Sequence, residues 1–271
     1  MNHRNIQSRR VAARLTTPTA CLALLFLGAV PLRAEASEAR ALLEKAIAFH
    51  GGRAALQAMP HWKASGTYEG GGRLVGRAMD AVYYERADGA LRTEVAFEFR
   101  GSTRTTVTMY DGTMCKRRSR STWDDIPLDE NRERAAHRLP FLLQALSLDP
   151  VVAGEGEEAG AAVWRVEVRD GRGKAVLSLA KDNGRLVALE FPGTEAEGMG
   201  TKKDVVRKFV YHGFEKAGAV QVPADIEMFM DGVFDGRLRF ERIEVIKEWD
   251  DAWLQLPDPR RRFIPGEELA F

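Results

Sequence analysis

The chain has 271 residues, with 40 basic and 39 acidic side chains, a formal net charge of +1, and 45% hydrophobic residues. This near-neutral balance argues against a nucleic-acid-binding protein, which would carry a clear basic excess. The length is enough for one large domain with a substantial apolar core.

The first 36 residues have the three parts of a secretory signal in the expected order. Basic residues from Arg4 to Arg14 come first, an apolar run of about ten residues from Cys21 to Val30 follows, and Ala34-Glu35-Ala36 offers a small-residue cleavage site. The apolar run falls short of the ~20 residues that span a bilayer. We therefore predict that residues 1–36 are a signal peptide cleaved after Ala36, and that residues 37–271 work in the periplasm.

Removal of the signal changes the charge and the cysteine content. The signal contains five arginines and one glutamate, so 35 basic and 38 acidic residues remain, together with the single cysteine Cys115. No disulfide can form within this mature chain, and its fold depends on its apolar core.

The first predicted element of the mature chain is an amphipathic helix over residues 37–50. Its apolar residues, from Leu42 to Ile47, recur on one helical face. Ser37 is the predicted cap at the start, and Gly51-Gly52 ends the helix because glycine accepts the left-handed conformation found there.

Strand patterns dominate from Trp62 onward. The segment Leu91–Arg100 alternates most clearly, with Leu91 on one face and charged residues such as Arg92 on the other, which predicts a strand with one dry and one wet face. Turn signals such as Asp111-Gly112 separate successive strands.

The middle of the chain changes character. Residues 129–147 carry leucines at helical spacing and predict a helical insert, in which Pro140 causes a kink or a break. The acidic, glycine-rich residues 154–160 are a predicted loop. Residues 250–255 are predicted to form a final helical turn, before a charged tail from about residue 257.

About eleven strands with regular turns predict a mainly β protein with a single antiparallel sheet. A sheet of that size twists and curls, so we expect a half-open β-barrel covered by the N-terminal helix and the mid-chain helical insert. Residues 37–271 form a single domain in this interpretation.

The sequence contains no recognisable catalytic or metal-binding motif. The histidines lack metal-ligand spacing, and neither a phosphate-binding loop nor a nucleophile elbow occurs. Cys115 follows a hairpin turn without an obvious histidine partner, and such a cysteine is more often a small core residue. We predict no enzyme and no cofactor, with a Cys115-dependent hydrolase as the open alternative.

Alternation on the strands, together with the helical insert, provides candidate residues for an apolar cavity. A curled sheet with only two helical covers can leave a cavity that side chains do not fill. The candidates are Val95, Phe97, Phe99, Leu139, Leu142, Leu143, Leu146, Trp164, Val166, Ile226, Met228, Met230, Leu238 and Phe240.

A basic run beside Trp123 is a candidate docking surface. It consists of Lys116, Arg117, Arg118 and Arg120. Such a run is either a solvated loop or a contact for an acidic partner or for anionic headgroups.

Four stretches of the mature chain resemble the Lol-type carriers that sort lipoproteins to the outer membrane, and related lipid-binding or stress-sensing proteins. They are Ala41–Gly52 with Trp62–Tyr68, the hairpin Met109–Gly112, Val220–Pro223 with the alternating Ile226 and Met228, and Glu241–Val245 with Asp250–Pro257.

The resemblance implies a half-open antiparallel barrel closed by helices over a hydrophobic cavity, with acyl-chain binding and no catalysis. We therefore expect a monomeric periplasmic carrier for a lipid or lipidated protein, with membrane-bound donor or acceptor proteins as partners and no nucleic acid. The alternative is an envelope sensor module that docks a protein partner through its basic loop, without ligand transport.

Overall fold

The computed structural model describes residues 30–71, 77–111, 115–119, 122–126, 139–170, 173–196 and 202–254. The chain divides into two units, Met1–Ala34 and Glu35–Phe271. The sheet and the helical residues from Glu35 onward belong to the second unit. The predicted signal peptide and C-terminal tail lie almost entirely outside the described residues, and both remain predictions.

Three α-helices and one 3-10 helix occur in the described residues. They are α1 Val30–Phe49, α2 Arg53–Gln57, α3 Phe141–Ala145 and the 3-10 helix Asp251–Leu254.

Thirteen strands form one sheet within the described ranges. They are β1 His61–Gly70, β2 Ala78–Glu85, β3 Leu91–Phe99, β4 Ser102–Tyr110, β5 Cys115–Ser119, β6 Thr122–Ile126, β7 Val151–Glu158, β8 Ala161–Asp170, β9 Gly173–Ala180, β10 Leu186–Ala196, β11 Lys202–Ala217, β12 Val220–Met230 and β13 Val233–Ile246.

The sheet consists of two antiparallel meanders joined in the middle. Its strand order is β6-β5-β4-β3-β2-β1-β13-β12-β11-β10-β9-β8-β7, so the first strand pairs with the last. The consecutive strands β6 and β7 lie at opposite edges. The chain between them must therefore cross the sheet, and α3 is the described helix of that connection.

This architecture confirms the predicted fold class, a mainly β protein with one antiparallel sheet that does not close into a barrel. Two strands come in addition to the predicted set, β6 and β7. The prediction of a loop at residues 154–160 is wrong, because most of this stretch lies in β7, which pairs with β8 from Val151 to Glu158. Glycine and glutamate are weak strand formers, and the pairing with β8 overrides that preference.

The helices differ from their predicted bounds. Helix α1 begins at Val30, so Ser37 lies within it and does not cap it. Helix α3 begins directly after Pro140, which agrees with a break at that residue. The rest of the predicted insert, residues 129–138, lies outside the described residues. The predicted C-terminal turn is the 3-10 helix.

The prediction of a wet face on β3 is wrong at Arg92, which is only 4% exposed. Its Nε lies 2.6 Å from Glu94 Oε1, and its Nη1 donates to the carbonyl oxygen of Trp253 at 3.0 Å. The 3-10 helix covers this face of β3, so the guanidinium exchanges water for a carboxylate and a backbone carbonyl.

His50 directly follows α1 and is fully buried. Two hydrogen bonds from its ring link this end of the helix to the sheet. Its Nδ1 donates to the carbonyl oxygen of Gln221 at 2.9 Å, and its Nε2 accepts from the N–H of Leu186 at 3.3 Å. The ring is therefore neutral, with its proton on Nδ1. Burial lowers the His50 pKa from 6.5 to about 4.

The junction of the two meanders depends on a glycine. Gly66 lies at a register shift between β1 and β13. A Cβ at this position would lie 1.9 Å from the carbonyl oxygen of Arg239, far inside contact distance. Only glycine lets the two backbones approach this closely.

We expect the native chain to lose stability as the pH falls from 6.5 to about 4. Over that interval the unfolded chain binds a proton at His50 and the folded chain does not. The loss from this group is about 3 kcal/mol, at 1.36 kcal/mol per pKa unit. In urea unfolding at pH 7 and pH 4, the stability advantage of the native chain over His50→Gln should shrink by that amount. An unchanged advantage would contradict the neutral buried ring.

We expect Gly66→Ala to lower the free energy of unfolding by about 3 kcal/mol, because the methyl group would overlap the Arg239 carbonyl. Gly213→Ala is the matched control on β11. Its added Cβ would meet only Asp225 Cβ at 3.8 Å, an ordinary contact. Urea midpoints of both variants measure the difference, and equal midpoints would refute the close approach.

Candidate ligand cavity

A cavity lies over the middle of the sheet, where the two meanders meet. Its empty volume is about 410 Å³, part of which is open to solvent. Strands β2, β1, β13 and β12 provide its floor. The lining residues are Met59, Trp62, Tyr83, Glu85, Leu139, Val222, Pro223, Ile226, Leu238 and Phe240.

The strand register places most of these side chains on one face. Trp62 on β1 is directly opposite Glu85 on β2, and Ile226 on β12 is opposite Leu238 on β13. Directly opposed residues of antiparallel strands project from the same face, with Cβ atoms about 4.5–5.5 Å apart. Tyr83, two positions before Glu85, shares that face.

Three aromatic rings pack together at the floor of the cavity. The ring centroid of Trp62 lies 5.0 Å from that of Tyr83 and 6.1 Å from that of Phe240, the latter edge-on. The centroids of Tyr83 and Phe240 lie 5.7 Å apart. These distances are typical of favourable aromatic pairs, and all three side chains are buried.

Two polar features interrupt the apolar lining, a hydrogen-bonded pair and a single donor. Glu85 is only 3% exposed, and the hydroxyl of Tyr83 donates to its Oε2 at 2.9 Å. The second group is the indole Nε1 of Trp62, which is buried without a hydrogen-bond partner among the described residues. A buried donor without a partner costs free energy, so it is a structural cue for a ligand.

Leu139 connects the cavity to α3. The N–H of Leu142 donates to the carbonyl oxygen of Leu139 at 2.9 Å, so Leu139 belongs to the first turn of this segment. Leu142 and Ala145 of α3 are buried in the main core. The short helix and the cavity therefore share one packing unit.

The predicted cavity residues separate into three groups. Four line this cavity: Leu139, Ile226, Leu238 and Phe240. Five others belong to the main core or pack against it: Leu142, Leu143, Leu146, Val166 and Met228. Four are half-buried outside both groups: Val95, Phe97, Trp164 and Met230.

The side chain of Phe99 lies outside the described set, and so do the side chains of the basic run. The backbone of β5 aligns Lys116 with Asp125 and Arg117 with Asp124 on β6. Arg118 is also on β5, whereas Arg120 lies outside the described residues. Docking through this run stays a prediction, as does a role for Cys115.

Sequence reasoning missed Met59, Trp62, Tyr83, Glu85, Val222 and Pro223 as lining residues. The period-two pattern of β2 was a usable signal for Tyr83, because Met79, Ala81 and Tyr83 occupy every second position and share the buried face. Glu85 continues that alternation, but a carboxylate at a strand end is ordinarily assigned to solvent.

No cluster of three metal-ligating side chains occurs in the described part of the chain. No helix in the same described part is long and apolar enough to cross a membrane.

No family model and no curated protein sequence matches this chain. Two solved structures match with a TM-score of 0.50 each. A DUF1329 family protein from Desulfovibrio piger has 11% identity, over 80% of this chain and 97% of that one. A LolA superfamily protein from Nitrosomonas europaea has 12% identity, over 80% and 97% respectively.

At this level of identity the matches establish the fold. The chain has the LolA-like fold, which confirms the structural part of the resemblance seen in the sequence. The ligands and partners of those proteins are a separate question.

We expect Tyr83→Phe to lower the free energy of unfolding by about 1 kcal/mol, because Glu85 loses a hydrogen-bond donor in a buried site. Tyr84→Phe is the matched control on the opposite face of β2, where the ring packs on Trp253. Urea unfolding compares the two. A Tyr83→Phe variant no less stable than Tyr84→Phe would contradict the contribution of this bond.

Proposed function

We propose that the protein is a periplasmic carrier that holds an acyl chain of a lipid or lipidated protein in this cavity and moves it between envelope membranes. The cavity is the observation that carries the proposal. It is mostly apolar, it lies at the centre of a LolA-like sheet, and it borders a short helical segment. The proposal includes no catalytic step.

The lining of the cavity suits an apolar ligand. Small-molecule sites typically have mostly hydrophobic walls with few polar groups. The eight apolar or aromatic lining residues besides Tyr83 and Glu85 match that description.

Burial of methylene groups supplies the affinity. Each buried CH₂ is worth ~0.8 kcal/mol, so about a dozen give a gross transfer free energy near 10 kcal/mol. The entropy lost on ordering the chain and the protein lowers the net value. Reversible binding, which a carrier needs, follows from this balance.

Entry of a whole acyl chain requires the cavity to open. Helix α3 has five residues, too few for intrinsic stability, so its position depends on the packing of Leu142 and Ala145. Displacement of α3 with Leu139 would widen the cavity along the sheet without breaking any strand pairing. We assign α3 the role of the lid.

Native mass spectrometry of the protein purified without detergent tests the proposal. After mixing with vesicles of phosphatidylethanolamine and phosphatidylglycerol, we expect a species heavier than the bare polypeptide by one lipid. Detection of the bare polypeptide alone, before and after vesicles are added, would contradict a carrier.

A cavity-filling variant locates the bound chain. Leu238→Trp places a larger ring in the cavity and should lower lipid uptake at least fivefold, whereas Val233→Trp, at a position that is 69% exposed, should leave it unchanged. Equal uptake by the two variants would place the lipid elsewhere.

A further inference from the structure

We propose that the indole N–H of Trp62 donates a hydrogen bond to the carbonyl oxygen of a neutral acyl ester, so that the cavity recognises the ester end of the chain as well as its methylenes. This inference rests on the proposed function and names the chemistry of its ligand.

The first observation is a buried donor on a residue that lines the cavity. Trp62 lines the cavity and is 4% exposed, and its Nε1 has no hydrogen-bond partner among the described residues. Native proteins pair nearly all buried polar groups, and the exceptions call for an explanation. An acceptor brought by the ligand explains this one.

The second observation is the neighbour of the indole. The register places Glu85 directly opposite Trp62, and the hydroxyl of Tyr83 donates to Glu85. A carboxylate side chain on the same face as the indole disfavours a second carboxylate or a phosphate in these apolar surroundings. A neutral acceptor such as an ester carbonyl meets no such repulsion.

The chemistry of the groups then selects the ligand class. The indole N–H can only donate, so the ligand atom beside it must be an acceptor. The surrounding aromatic and aliphatic side chains favour a hydrocarbon chain attached to that acceptor. An ester-linked acyl chain provides both parts in one molecule.

Two probes with the same chain and the same glycerol head isolate the carbonyl. 1-Palmitoylglycerol has the ester carbonyl, and 1-O-hexadecylglycerol has an ether in its place. Titrated below their micelle concentrations, the ester should bind the native protein at least fivefold more tightly than the ether, since one hydrogen bond is made or lost. Equal affinities would overturn the inference.

Variants assign that preference to the indole. Trp62→Phe keeps an aromatic ring but removes the N–H, so the preference for the ester should fall below twofold. Trp249→Phe is the matched control, because Trp249 has a buried indole nitrogen without a partner in the described residues and does not line the cavity. Its preference should remain fivefold; if it is lost too, the assignment fails.

An NMR titration of the native protein tests the same contact without requiring that any variant folds. The indole ¹H resonance of Trp62 should move downfield when 1-palmitoylglycerol is added, as a new hydrogen bond requires, and should move much less with 1-O-hexadecylglycerol. A resonance that responds equally to both probes would contradict the contact.

Comparison of several ligands distinguishes failure of the carrier proposal from failure of the ester contact. If neither probe binds, the carrier proposal itself fails; if both bind equally, only the ester contact fails. Palmitate should bind more weakly than 1-palmitoylglycerol, and tighter palmitate binding would overturn the role of Glu85.

A diacylglyceryl-cysteine peptide identifies the source of the ester. Tighter binding than 1-palmitoylglycerol points to a lipidated protein and weaker binding to a glycerolipid, and both require the same Trp62 contact.

Discussion

The pairing of β1 with β13 is the contact on which the rest of the structure depends. It joins the first strand to the last and turns two separate meanders into one sheet. The pairing extends from His61 opposite Ile246 to Gly70 opposite Gly236, with a register shift at Gly66. The cavity lies directly over this junction, so its floor exists only where residues distant in sequence have come together.

Local patterns predicted the elements that local physics determines. Period-two alternation and Asp-Gly or Asn-Gly turns indicated eleven strands, and leucines at helical spacing indicated the segment that contains α3. The mispredicted β7 shows the limit, because Gly154 and Glu155 become strand residues only through pairing with β8. Arg92 shows the same limit, since its burial depends on Trp253, far along the chain.

The candidate cavity was harder to predict than the sheet. Leu139, Ile226, Leu238 and Phe240 were found because apolar alternation marks any inward position. Alternation cannot distinguish a cavity from a packed core, which is where Leu142 and Val166 lie. The polar members were missed because their burial depends on the register between β1 and β2, which no local pattern specifies.

An open sheet has edges, and β7 is one of them. Unpaired backbone groups at an edge invite strand addition by another molecule, which leads to aggregation. Strand β7 carries a bulge between Val152 and Gly154, and a glutamate follows each of its glycines. The bulge distorts the hydrogen-bonding row, and the exposed charged side chains of Glu155 and Glu157 disfavour pairing with another strand. A half-open barrel built this way keeps its cavity accessible while each molecule resists joining its sheet to the next.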